Sequence, residues 1–355
     1  LSSRLRKLST AAFLVHDELC RVTKADPIAS TFEIDKKIVK AVTQAWSQVA
    51  SKSIKPAVVQ LIQSKPTAKS IALFSEKLGV KLAKPLTSKQ IDAIQIQIQK
   101  IFAISKKAAS KQAKISFNFA QADADAVALI NRQQVFWIGD FYDAHLSARI
   151  QAVAKDILIE QGLDRKDAGR VLEDAVSKEF GLAGETRSEF APTVPARYAG
   201  NPSLYFDAVV STSAHQSRTF GKVSAFNDAG IQTIQLINPL DRRTGVICQQ
   251  LAGQVFTTEI AVDHMNGVLG AKDPKDIKNI APWLSGSQIE SILSGTQVGS
   301  PAASVKLSKA GVMLPPFHAF CRTEPVVVSV DFDTSKLPTS VSSSGKNKEI
   351  IPFKK

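Results

Sequence analysis

The 355 residues, 44% hydrophobic and 22% charged, carry enough apolar material for two ordinary domains and exclude a wholly disordered chain. No run of about 18 uninterrupted apolar residues occurs, and the opening LSSRLRKLSTAAFLVHDELC lacks the apolar core and small-residue cleavage site of a secretory signal. Membrane and secreted readings therefore find no support, and Cys20, Cys248 and Cys321 lie too far apart for a disulfide scaffold, which makes a reducing cytoplasm the expected place of assembly.

The first residue is Leu1 and not Met, which fits either a numbering that starts inside the gene product or loss of an N-terminal piece. Net charge is +13, and its placement is uneven: residues 1–120 hold 21 Lys and Arg against 7 Asp and Glu, whereas the rest hold 24 against 25. A basic N-terminal third suits a polyanion, because each cation placed on a phosphate releases condensed counterions whatever the base sequence. The alternative is a lysine-rich solvated helix face. Aromatic residues for stacking on bases are scattered there, so nucleic-acid contact is expected with the backbone, through Lys36, Lys37, Lys40, Lys106, Lys107, Lys111 and Lys114.

In chain order, Ile34, Ile38, Val42, Trp46 and Val49 recur at helical spacing against a basic face, predicting an amphipathic helix over 34–50. Ile91 to Ile104 alternates with Gln like a strand and also forms a helical stripe. Ser88 as a cap and the lysine-rich continuation to Lys114 favour helix. A helical block runs from Ala122 to Phe180, with Leu146, Ile150, Val153, Ile157 and Ile159 as its apolar face and a break at Gly162. Residues 181–202 read as a loop or hinge, and 203–229 as a helix ended by Gly230. Strands are expected at 231–237, 254–257 and 326–330, with a helix at 285–293. The fold class is therefore α+β and predominantly α-helical: a helical N-terminal region, then a C-terminal domain with a small β-sheet. The expected divisions are a basic helical region at 1–120, a helical block and hinge at 121–200, an α+β domain at 201–332 and an extended arm at 333–355.

Chemistry-bearing patterns are few. His16, His145 and His215 lack a partner set at recognisable spacing, Gly295 to Gly299 lacks the lysine of a phosphate loop, and Asp123-Ala-Asp125 departs from a calcium loop and reads as helix-start acids. Residues 203–323 are more specific. A long helix is followed by Gly230-Ile231, a strand, Asp241-Arg-Arg-Thr244, Cys248-Gln-Gln-Leu251-Ala-Gly253-Gln-Val-Phe256, and finally Pro315-Pro316-Phe-His318-Ala-Phe-Cys321-Arg322.

This order resembles the signature block of the phage Mu F-like minor head proteins, over the C-terminal half of the chain. Two features depart from that pattern: Gly245 stands where the family often has a second cysteine, and Ser211-Thr212-Ser213 where many members carry Arg-Thr-Glu. The resemblance implies a non-enzymatic virion component of head morphogenesis, assembled in the host cytoplasm. Its implied partners are the portal protein, other head proteins and packaged double-stranded DNA, with no membrane, and its implied role is in assembly and in DNA organisation or ejection.

Cys248, His318 and Cys321 are soft or borderline donors that suit Zn²⁺, and Gly245 leaves a four-coordinate set one short unless Asp241 or His264 completes it. Two other readings stay open: buried thiols beside a hydrogen-bonded histidine, or a disulfide formed on lysis. Arg322 is expected either to fork onto Asp241 or to face solvent. Rival functions are a toxin-like nuclease or ADP-ribosyltransferase carried in the virion, for which the stretch after Cys321 leaves little room, and a portal or scaffold subunit.

Overall fold

A computed structural model describes residues 27–64, 66–161, 164–180, 202–239 and 244–328. The chain is predominantly α-helical with one small C-terminal sheet, as expected from the sequence. Among the described residues no helix is long and apolar enough to cross a membrane. The expected arm at 333–355, most of the 181–202 loop, His16, Cys20 and Asp241 lie outside the described residues.

Two compact units form, neither of them a consecutive stretch. Among the described residues, one gathers those of 35–94 and 133–210; the other gathers those of 27–34, 95–132 and 211–328. Helices α1 (Pro27–Gln63), α3 (Ser88–Gln112), α4 (Gln121–Phe141) and α7 (Pro202–Asp228) each give residues to both.

The first unit is all helical. It contains α2 (Ala68–Leu82), α5 (Ser147–Lys155), α6 (Arg165–Glu179) and parts of α1, α3, α4 and α7. Its centre is Trp46, fully buried, with ring centroids 5.3 Å from Phe180, 5.4 Å from Phe141 and 5.7 Å from Phe206. The stripe predicted for 34–50 supplies Ile38, Val42 and Trp46 to this core, within a helix longer than periodicity indicated. The face predicted from Leu146 to Ile159 holds at Leu146, Ile150 and Ile157 but fails at Ile159, which is exposed. Ile159 follows Ile157 by two residues, about 200° round at 100° per residue, so helical spacing itself carries it to the opposite side; two π-helical turns, Tyr142–Leu146 and Asp156–Glu160, interrupt this stretch.

The second unit carries the sheet. Strand β1 (Thr233–Ile237) is central, antiparallel both to β2 (Val255–Thr257) and to β3 (Glu324–Val327). Register pairs Ile234 with Phe256 on one side and with Val327 on the other. Pro325, which cannot donate to a ladder, is tolerated because β3 is an edge. Helix α7 packs beside α3 at Gly221, where a Cβ would meet the Phe102 carbonyl oxygen at 2.6 Å.

Helix α3 is capped by Thr87 and not by Ser88: the Gln90 amide reaches Thr87 Oγ1 at 3.3 Å and the Gln90 side chain returns to the Thr87 N–H at 2.9 Å. It ends at Lys114, at φ 58°, as α7 ends at Gly230, at φ 66°. Between the strands stand α8 (Val246–Leu251), α9 (Thr258–Leu269), α10 (Ile277–Ile280), α11 (Gly286–Leu293) and α12 (Pro301–Lys309); of these only α11 was expected from the sequence.

Candidate functional site

Cys248 sits in α8, shortly after the end of β1, and its carbonyl accepts from the Asn238 side chain. His318 and Cys321 come from the turn that precedes β3, where the Cys321 N–H reaches the His318 carbonyl at 3.3 Å. Strand β1 and its edge partner β3 thus bring together residues 70 or more positions apart in sequence.

Cys248 Sγ lies 2.9 Å from His318 Nε2 and 3.7 Å from Cys321 Sγ, and the three donor atoms fall within 4.8 Å of one another. The cysteines are free and buried, and His318 is half-buried. The trio can hold a metal ion such as zinc, and among the described residues no other group of His, Cys, Asp and Glu does so. His264, offered by the sequence as a fourth donor, is buried in α9 and is not part of the group.

The thiols are inequivalent. A hydrogen bond from Cys321, opposed by burial and helped by Thr323, the Arg322 backbone N–H and the Arg322 charge, draws Cys248 down to about 7. Burial pushes Cys321 well above the ordinary thiol range, and its neighbour's charge adds to that. Arg322 itself donates to Thr244 Oγ1 at 3.0 Å, and Gln249 to the Thr244 carbonyl at 2.8 Å, which fixes the start of α8 beside the turn. The threonine of the Asp-x-x-Thr element is therefore a tether.

Behind the turn runs a polar row that sequence reasoning did not single out. His215 Nε2 meets the Thr323 carbonyl at 2.8 Å, Lys222 Nζ meets Glu324 Oε2 at 2.5 Å, and Arg218 donates to Thr31 Oγ1 at 3.0 Å while covering Phe32 at 5.0 Å. His215 is held neutral, down at about 3, chiefly by burial and then by Arg218. Burial would raise Glu324, but Lys222, His215 and Arg218 leave it below the usual carboxylate range. Spacing on α7 could have revealed the row, since 215, 218 and 222 share one helix face.

Of the seven lysines expected to touch phosphate, Lys36, Lys37, Lys40, Lys107, Lys111 and Lys114 are exposed. Lys106 is not: at 2% exposure its ammonium lies 2.7 Å from Asp123 and 2.8 Å from Asp228. It joins α3 to the first turn of α4 and the last of α7, and desolvation removes it from any external polyanion. Asp123 also accepts from Ser224 and from the Ala120 N–H, both at 2.8 Å. Lys36 and Lys40 flank a surface cleft with Thr43, Ser203 and Asp207.

No protein-family model matches the chain, and neither a curated protein nor a solved structure was found to match it.

Proposed function

We propose that this chain is a non-enzymatic minor head protein of a phage particle, present in few copies. Its C-terminal module docks on the portal and neighbouring head proteins, and exposed lysines of α1 and α3 rest on the DNA backbone, where they help organise DNA for ejection. One observation carries the reading. The separated Cys and His positions of the resemblance converge on one point, and so does the departure: a Cβ at Gly245 would lie 3.5 Å from His318 Nε2. A motif whose elements meet in space, including the position of its missing cysteine, behaves as a structural unit. Mass spectrometry of particles banded by density from the producing host tests this directly. A few copies per particle are expected; absence from intact particles sinks the proposal.

A second reading is favoured by the donor set. Three protein ligands with one position open is the arrangement of catalytic zinc sites, in which bound water becomes a nucleophile. A toxin-like metal-dependent nuclease would use it so. Zinc-dependent nicking of supercoiled DNA by the purified chain, abolished in Cys321→Ser, would decide for the enzyme.

A further inference from the structure

We propose that Cys248, His318 and Cys321 hold one zinc ion whose fourth position, beside Gly245, is filled by an exchangeable solvent molecule. The inference rests on ligand geometry and is independent of membership in a particle.

Two thiolates on a tetrahedral zinc, each about 2.3 Å from the metal, stand roughly 3.8 Å apart. Cys248 Sγ and Cys321 Sγ are 3.7 Å apart, so the pair already spans one edge of the coordination tetrahedron. His318 presents the ligating tautomer. Its Nδ1 lies 2.6 Å from the Ala319 carbonyl, which can only accept, so Nδ1 carries the proton and Nε2 keeps its lone pair towards the thiols. A zinc seated there widens the 2.9 Å contact between Nε2 and Cys248 Sγ to about 3.5 Å.

Backbone strain in the turn points the same way. Phe320 adopts φ 59°, a left-handed conformation that is costly for a non-glycine residue. Its ring is 43% exposed, so burial of the ring does not account for the cost. Phe320 lies inside the turn that the Cys321 N–H closes on the His318 carbonyl at 3.3 Å, between the two ligand positions.

The open position follows from Gly245. A Cβ there would stand 3.5 Å from His318 Nε2 and 3.9 Å from its Cε1, with no other described atom within 4 Å. Gly245 is half-buried and Val246 beside it is 62% exposed, so solvent reaches this side. On binding, each thiol that is still protonated gives its proton to solvent, and the resulting Zn²⁺ with two thiolates, imidazole and water is neutral overall.

The test uses the full-length, reduced chain loaded with zinc or cobalt(II) and desalted. About one metal per chain is expected, with a two-thiolate cobalt spectrum that shifts when imidazole is added. Gly245→Cys should close the site: a third thiolate band appears, imidazole no longer shifts the spectrum, and zinc binds about tenfold or more tighter in chelator competition. Gly245→Ala should retain metal, and Cys321→Ser should lose it. Lack of metal in reduced wild-type protein with native circular dichroism overturns the proposal, as does a wild-type cobalt spectrum indifferent to imidazole. If Gly245→Cys misfolds, the imidazole response of wild-type and Gly245→Ala protein still decides. A metal-free outcome leaves the particle proposal standing, because that is read from particle composition.

Discussion

Lys106 Nζ and Asp123 Oδ2 lie 2.7 Å apart with 2% and 3% of their side chains exposed, so the basic region contains a buried ion pair that joins α3 to α4, and Asp228 at 2.8 Å ties in α7. Removing one partner of such a pair strands the other in a low-dielectric interior, at a cost of about 3–5 kcal/mol. Lys106→Ala is accordingly expected to lower stability by about 3 kcal/mol in urea unfolding followed by circular dichroism, since Ser224 and the Ala120 N–H still solvate Asp123. Lys107→Ala, one residue along and exposed, should change stability by less than about 0.5 kcal/mol. Equal effects would contradict the buried pairing.

Acid should weaken the second unit before carboxylates alone would do so. His215 and His264 are both fully buried, and burial lowers them from 6.5 to about 3 and about 4. The unfolded chain then binds protons below pH 6.5 that the folded chain refuses. Stability is complete above that pH and falls as pH drops towards the folded values, by about 1.4 kcal/mol per unit for each histidine. Glu324, also lowered, loses its contribution in the same direction at more acid pH. His264→Leu should flatten the urea-midpoint profile between pH 6 and pH 4.5 by roughly half relative to wild type. An unchanged profile would show that His264 protonates in the fold.

Gly221 marks a close approach of α7 to α3. A Cβ there meets the Phe102 carbonyl oxygen at 2.6 Å and the Lys106 nitrogen at 3.2 Å, and both are backbone atoms that no side-chain rotation can clear. Alanine would gain about 1 kcal/mol of helix propensity, yet separating the helices costs more, about 1–3 kcal/mol. A net loss of stability on Gly221→Ala, read from the urea midpoint, is expected; a gain would mean that the helices stand further apart.

Local signals were legible in the sequence where one element satisfied itself. Gly230 ended α7, the alternation over 231–237 gave β1, and α3 was recognisable because its lysine-rich continuation to Lys114 outweighed an alternating Ile-Gln stretch. The Cys/His cluster was legible as coupled motifs, though its geometry needed β1 and β3 to be paired. What failed depended on distant partners or on a stripe extended past its helical phase. Nothing near Lys106 announces Asp123 and Asp228, and Ile159 lies about 200° round from Ile157. Helices α9 and α12 were missed although Thr257 and Ser300-Pro301 cap them, as Ser285 caps the recognised α11.

Contact with the DNA backbone should appear as salt dependence. For the full chain, the logarithm of affinity for double-stranded DNA is expected to fall linearly with the logarithm of salt. Lys107→Ala and Lys111→Ala should each reduce the slope by about 1, and Lys106→Ala should leave it unchanged at temperatures where the variant is folded. A salt-independent affinity would remove the phosphate contact from the proposed function.

Lys114 allows stability and DNA contact to be separated within one residue. It occupies the left-handed position after α3, with the Ile115 N–H closing on the Ser110 carbonyl at 3.0 Å and its own N–H on the Lys111 carbonyl at 3.2 Å. Gly230 ends α7 with the same pair of bonds, from Ile231 to Phe226 and from Gly230 to Asn227, both at 3.0 Å. A side chain at this position costs about 1 kcal/mol relative to glycine, and Lys114 is exposed, so it has little burial to lose. Lys114→Gly should therefore raise the urea midpoint by the equivalent of about 1 kcal/mol. If its ammonium also meets phosphate, the same variant binds DNA more weakly and with a salt slope smaller by about 1. A variant that is more stable and yet a poorer DNA binder cannot owe its loss of binding to unfolding, so the two readouts together assign the lysine its role.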